Sequence, residues 1–134
     1  MTGGCACGAV RFIVNGPPRD IGECHCRRCQ RAVGAASVTW ATIEVERVEI
    51  LGAPAWWRSS AVAQRGFCPA CGTSLFLRAD GDWIDVTVAA FDEPVRLAPR
   101  YHIWTASRQP WVALDPCLPA YRDGGPDGDL LGGS

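Results

Sequence analysis

Seven of the eight cysteines lie in three tight clusters, Cys5-Ala6-Cys7, Cys24-His25-Cys26-Arg27-Arg28-Cys29 and Cys68-Pro69-Ala70-Cys71. Clustered thiols are disulfide partners in an oxidising compartment and metal ligands or reactive nucleophiles in a reducing one. The amino terminus, Met1-Thr2-Gly3-Gly4, has no basic flank followed by an apolar segment of the kind that directs secretion. No apolar run approaches the length of a membrane span. The expectation is a cytoplasmic protein whose cysteines bind metal. At 134 residues the chain is long enough to form one domain without disulfide staples, since a domain of this length buries roughly two-thirds of its unfolded surface.

The net charge is -1 and acidic and basic residues are interspersed. No global field therefore invites nucleic acid or an anionic membrane, and neither is expected as a partner. All thirteen basic residues are arginine. Without lysine the chain has no amine for Schiff-base catalysis, a pyridoxal-phosphate anchor or a lysine-bearing phosphate loop.

Apolar residues alternate at Val10, Phe12 and Val14, at Val38 and Trp40, at Val48 and Ile50, and at Ile84, Val86 and Val88. This period of two predicts half-buried strands. Turn signals fall between them at Gly16-Pro17-Pro18, Gly52-Ala53-Pro54, Asp80-Gly81-Asp82 and Asp92-Glu93-Pro94. No long segment carries a helical stripe, although residues 27–36 suit a short helical turn. The fold class is mainly β with few or no helices. A single domain is expected over residues 1–121. Residues 122–134, with five glycines, one proline and three aspartates, read as a flexible tail.

Cys5 and Cys7 at a strand end, joined by Cys68 and Cys71 from a turn, supply four thiolates for a closed tetrahedral site. Pro69 and Gly72 suit the turn, because glycine allows the positive φ that curls backbone amides toward sulfur. Zinc is preferred there, with rubredoxin-like iron as the alternative. Cys24, Cys26 and Cys29 supply only three sulfurs and leave a second site open. His25 points away from that pair and suits packing or support of the ligands. Cys117, between Pro116 and Pro119, either closes the shell or sits as a small buried hydrophobe.

Three thiolates on Zn²⁺ leave a net charge of -1, so such an ion is a poor activator of water. A fourth thiolate, the substrate's own, suits it better. Arg27, Arg28 and Arg31 stand beside the ligands, either as a solvated turn or as anchors for substrate carboxylates. His102 is either a core residue or a general base. Trp104 and Trp111 fit the core or a pocket wall.

Four motifs in order carry a resemblance. They are Gly4-Cys5-Ala6-Cys7-Gly8-Ala9-Val10-Arg11-Phe12, Cys24-His25-Cys26-Arg27-Arg28-Cys29, Gly66-Phe67-Cys68-Pro69-Ala70-Cys71-Gly72-Thr73-Ser74-Leu75 and His102-Ile103-Trp104. Together they resemble the GFA family, the glutathione-dependent formaldehyde-activating enzymes, whose relatives include centromere protein V. The resemblance implies an Mss4-like β fold with zinc-binding knuckles. It implies a structural zinc on Cys5, Cys7, Cys68 and Cys71, and a second, more labile zinc on Cys24, Cys26 and Cys29, where glutathione is handled. The reaction it implies is carbon–sulfur bond formation between glutathione and formaldehyde, a lyase-type chemistry. A non-catalytic zinc-binding interaction module and a thiol-based zinc or redox sensor are the competing expectations. The chain would be a monomer or, through an exposed sheet edge, a homodimer.

Overall fold

A computed structural model describes residues 1–125. Two sheets pack around a shared core. The smaller has three antiparallel strands in the order β1 (Thr2–Gly4), β2 (Arg11–Val14) and β5 (Val48–Leu51). The larger has seven, in the order β10 (His102–Ile103), β3 (Asp20–Cys24), β4 (Val38–Glu44), β9 (Trp83–Thr87), β8 (Ser74–Ala79), β7 (Ala63–Phe67) and β6 (Ala55–Arg58). Its pairings are antiparallel except that β10 runs parallel to β3. The mainly β class expected from the alternation is what the chain adopts.

One α-helix, α1 (Arg27–Val33), occurs among the described residues, in the connection from β3 to β4. Cys26 is its N-cap, with the sulfur accepting from the Cys29 amide, and Gly34 closes it in the left-handed conformation at φ 70°. Short 3₁₀ turns stand elsewhere, one of them at Val88–Ala90. There the expected alternation through Val88 ends one residue early, since β9 stops at Thr87.

The central strands of the larger sheet are buried on both faces, whereas β6 at its edge is largely exposed. Ala41 and Ile43 of β4 join Phe12, Phe76, Val86 and Phe91 in the main core. Phe12 meets Phe91 and Phe76 edge-on, with centroids 4.9 and 5.9 Å apart. The opposite face carries Trp40, Leu77 and Ile103 together with Cys24 and Cys29. The three-cysteine cluster is thus rooted in a second core rather than perched on a loop.

Residues 119–123 run beside β10. The His102 and Tyr121 amides donate to Pro119 and His102 carbonyls at 2.9 Å, and the Trp104 amide donates to Asp123 at 2.8 Å. Trp104 holds a left-handed φ of 55°. Most of the segment read as a tail, residues 126–134, lies outside the described residues. Among the described residues no helix is long and apolar enough to cross a membrane.

Candidate functional site

The four-cysteine group assembles as its spacing predicts. Cys5, Cys7, Cys68 and Cys71 place their sulfurs within 4.8 Å of one another. Cys7 lies 3.6 Å from Cys5 and 3.8 Å from Cys68, sulfur to sulfur. A tetrahedron of zinc–sulfur bonds of about 2.3 Å has edges of about 3.8 Å, so this cage fits zinc. Cys5 directly follows β1, at the strand end its spacing predicts, and Cys7 lies in the turn beyond it, where the Gly8 amide donates to the Cys5 carbonyl at 3.2 Å. The turn on the other side is one residue longer, with the Gly72 amide donating to the Cys68 carbonyl at 2.7 Å. Gly8 and Gly72 each follow the second cysteine and both have φ of 82°. That dihedral, not crowding, requires glycine, for a Cβ at either would meet nothing within 4 Å.

Backbone and hydroxyl groups favour thiolate at two members of this cage, Cys5 and Cys71. The Val10 amide donates to Cys5 sulfur at 3.2 Å and lowers its pKa. The Thr73 side chain, then the backbone, pulls Cys71 down to about 5. The Ala9 backbone lowers Cys7, but the neighbouring Cys5 and Cys71 outweigh it and raise that thiol to about 11. Four sulfurs this close share protons when no cation balances them.

Cys24, Cys26 and Cys29 likewise gather within 4.8 Å. Cys24 ends β3, Cys26 caps α1, and Cys29 lies on its first turn. Cys24 and Cys29 are fully buried, while Cys26 is half-buried and gives the group its access to solvent. The Cys26 and Cys29 thiols, then burial, push Cys24 up. Cys29 is also raised: the favourable contact with Cys24 is outweighed by Cys26 and burial. Three thiols held this tightly cannot ionise together without a cation, so the donor set fits zinc as well.

Arg65, which sequence reasoning missed, supplies a cation at this site. It projects from β7, is 2 % exposed, and donates to the Cys29 sulfur at 3.4 Å. Trp40 lies beneath its guanidinium, 5.9 Å to the ring centroid. Buried Asp85 stands nearby; burial raises its carboxyl to about 7 despite a hydrogen bond from Thr42 at 2.5 Å. The available signal was an arginine in phase with the inward residue Ala63 of the same strand.

Behind β3 a third polar group forms. The β3–β10 register sets His102 opposite Glu23, and His102 Nδ1 lies 3.0 Å from Glu23 Oε2 and 3.2 Å from His25 Nε2. Ser37 donates to Glu23 at 2.7 Å. Both histidines are buried, and burial first of all lowers the His25 pKa. Glu23 and His25 alternate with Cys24 and Cys26 along the chain, so His25 faces away from the sulfurs. The direction is the one its position between the two cysteines predicts. Glu23 carries no local signal because its partner is 79 residues away in sequence.

The three arginines near the site differ in place. Arg27, Arg28 and Arg31 are exposed on α1. Arg27 donates to Gln30 Oε1 at 2.5 Å. Buried Gln30 donates to the carbonyls of His25 and Ser107 at 2.6 and 3.1 Å, tying the helix to the late loop. Arg27, Gln30 and Arg31 with Gln109 and Trp111 line a groove of about 340 Å³. Trp111 is 75 % exposed, a wall of this groove, whereas Trp104 packs in the second core. Both expectations for Cys117 fail. It is exposed, and its sulfur is not among those gathered with Cys24. Its amide donates to Asp115 at 2.8 Å in a surface turn.

The fold and the sequence both have counterparts among known proteins. A crystal structure of a Rhodobacter sphaeroides protein aligns with a TM-score of 0.60 over 90 % of this chain and 99 % of that one, at 20 % identity, a likeness of fold. A Halomonas elongata protein provisionally named a glutathione-dependent formaldehyde-activating enzyme is 27 % identical across 92 % of this chain and 89 % of its own length. The family profile for glutathione-dependent formaldehyde-activating enzymes matches residues 1–107, a span that holds all three cysteine clusters and His102. The chain belongs to the GFA family.

Proposed function

We propose that the protein is a zinc-dependent carbon–sulfur lyase-type enzyme that joins glutathione, or a similar thiol, to a small electrophile such as formaldehyde, or separates them. In this reading Cys5, Cys7, Cys68 and Cys71 hold a structural zinc and Cys24, Cys26 and Cys29 hold a second, more labile one. The observation that carries it is the three-thiol group itself, incomplete for a tetrahedral ion and open to solvent at Cys26. Zinc there would supply a soft cation suited to accept a substrate thiolate and lower its pKa.

The remaining work falls to the chain's own side chains. Arg65 balances the sulfur charge from within the core. Arg27 and Arg31 line the groove on the outer face of α1 and offer paired N–H donors to the carboxylates of glutathione, with Arg28 alongside. His102, the general-base candidate, is engaged with Glu23 and His25. Its part here is to position His25, the residue between two sulfur ligands.

Calorimetric titration of glutathione into zinc-loaded protein, repeated on Cys26→Ser, tests the reading. Binding heat in the parent and none in the variant is expected. Equal heats in both would refute a thiol site at this cluster.

A further inference from the structure

A concavity of about 790 Å³ contains none of the three open-site cysteines but is built on the elements that carry them. Ala32 and Val33 line it, three and four residues after Cys29 on the same face of α1. Val38 lines it too, and Val38 sits directly opposite Cys24 in the β3–β4 register, on the same side of the sheet. The far wall is the turn around Cys5 and Ala6 and the 3₁₀ segment that includes Ala89.

Its chemistry differs from that of the arginine groove. Among the described residues, no arginine or carboxylate lines it, and Cys5 of the four-cysteine cage is its one ionisable group. Its other polar side chains are hydroxyls, those of Ser37, Thr39, Thr73, Ser74 and Thr87, set among alanine, valine, glycine and Pro94. The groove with Arg27 and Arg31 occupies the opposite face of the helix, and the two concavities meet at Ala35, which lines both. Glutathione carries two carboxylates and an ammonium, which a hydroxyl- and methyl-lined pocket cannot balance. Formaldehyde, in turn, has one carbon and one oxygen, whereas 790 Å³ has room for roughly two dozen waters at about 30 Å³ each. Pockets of several hundred Å³ with a few hydroxyls suit ligands well beyond that size.

We infer that this cavity is the electrophile's binding site and that the electrophile is a neutral, largely apolar carbonyl compound bigger than formaldehyde, such as an aryl or long-chain aldehyde. The inference rests on the thiol-adduct reading of the three-cysteine site. Charged thiol and uncharged electrophile approach from the two sides of α1. In the reaction the thiol sulfur forms a bond to the carbonyl carbon, the carbon–oxygen π bond breaks, and the oxygen takes up the proton that the thiol released. The product is a hemithioacetal, and no oxidant or reductant is consumed.

Two measurements on zinc-loaded protein separate the cavity from the chemistry. Binding of the unreactive probe 2-phenylethanol is followed by saturation-transfer NMR in the parent and in Ala32→Phe and Ala89→Trp, which fill the cavity from opposite walls. Zinc content verifies that each variant is folded. Binding in the parent that weakens at least tenfold in both variants is expected. Glutathione-dependent kcat/KM is then compared for phenylacetaldehyde and formaldehyde. A phenylacetaldehyde-to-formaldehyde ratio that falls at least tenfold in the filled variants supports the assignment. No binding by the parent, or undiminished binding by the variants, overturns it even if formaldehyde is turned over. Binding with no turnover of any aldehyde overturns the lyase reading, and the electrophile assignment with it.

Discussion

The guanidinium of Arg65 donates to the sulfur of Cys29 across 3.4 Å, with the arginine 2 % exposed and the cysteine fully buried. A buried cation is tolerated only where an anion meets it, and a zinc held by three thiolates carries a surplus negative charge. Replacing Arg65 by methionine keeps much of the volume and removes the charge. The expected result is zinc affinity at the three-cysteine site lowered about ten- to hundredfold, read by competition with a chromophoric chelator. Zinc on the four-cysteine site should be retained. Equal loss from both sites would mean that Arg65 acts only through the fold.

The four-cysteine cage joins the turn after β1 to the turn before β8, across 61 residues from Cys7 to Cys68. A structural zinc of this kind contributes on the order of ten kcal/mol to folding, comparable to the whole stability of a domain. Cys5→Ser and Cys71→Ser should therefore give insoluble or unfolded protein. Cys26→Ser, at the half-buried edge of the other site, should stay folded. Soluble yield and far-ultraviolet circular dichroism measure both.

His102 ties β10 to β3 through Glu23 and His25. A phenylalanine in its place would leave a carboxylate and a buried ring nitrogen without this partner. The expected destabilisation is about 2 kcal/mol, measured by urea unfolding. Zinc at the three-cysteine site should also be released faster, because His25 lies between two of its ligands.

Asp85 is protonated at higher pH in the folded protein than its ordinary 3.8 because burial raises it to about 7. A raised folded pKa means stability present below pH 4 and lost as pH rises through about 7. Across that window the loss amounts to at most about 4 kcal/mol. Asp85→Asn can still accept the Thr42 hydrogen bond and removes the titration. Its melting temperature should gain on that of the parent between pH 5 and pH 8, and a constant difference would contradict the assignment.

The division of cysteines into four and three was legible in the sequence because CxC, CxC-x-x-C and CxxC spacings already restrict which sulfurs can converge. Strands β2, β4, β5 and β9 were legible for the same local reason, an alternating pattern. Strand β8 was not: Leu75, Phe76 and Leu77 are all buried, so the larger sheet erases alternation where both faces are covered. Arg65 and Glu23 were invisible because each meets the site through strand pairing, from 36 residues beyond Cys29 and 79 residues before His102. Cys117 departs from expectation because a lone cysteine is usually a small buried hydrophobe, whereas this one lies in an exposed turn. Local spacing reveals ligands, and register reveals what supports them.

The central claim, one closed thiolate site and one that admits a substrate thiol, is tested most directly by ¹¹³Cd NMR of the cadmium-substituted protein titrated with glutathione. Two resonances are predicted. The one from Cys24, Cys26 and Cys29 should move toward the position of a four-thiolate ion as glutathione is added, and the other should stay still. Two resonances that both ignore glutathione would contradict the account.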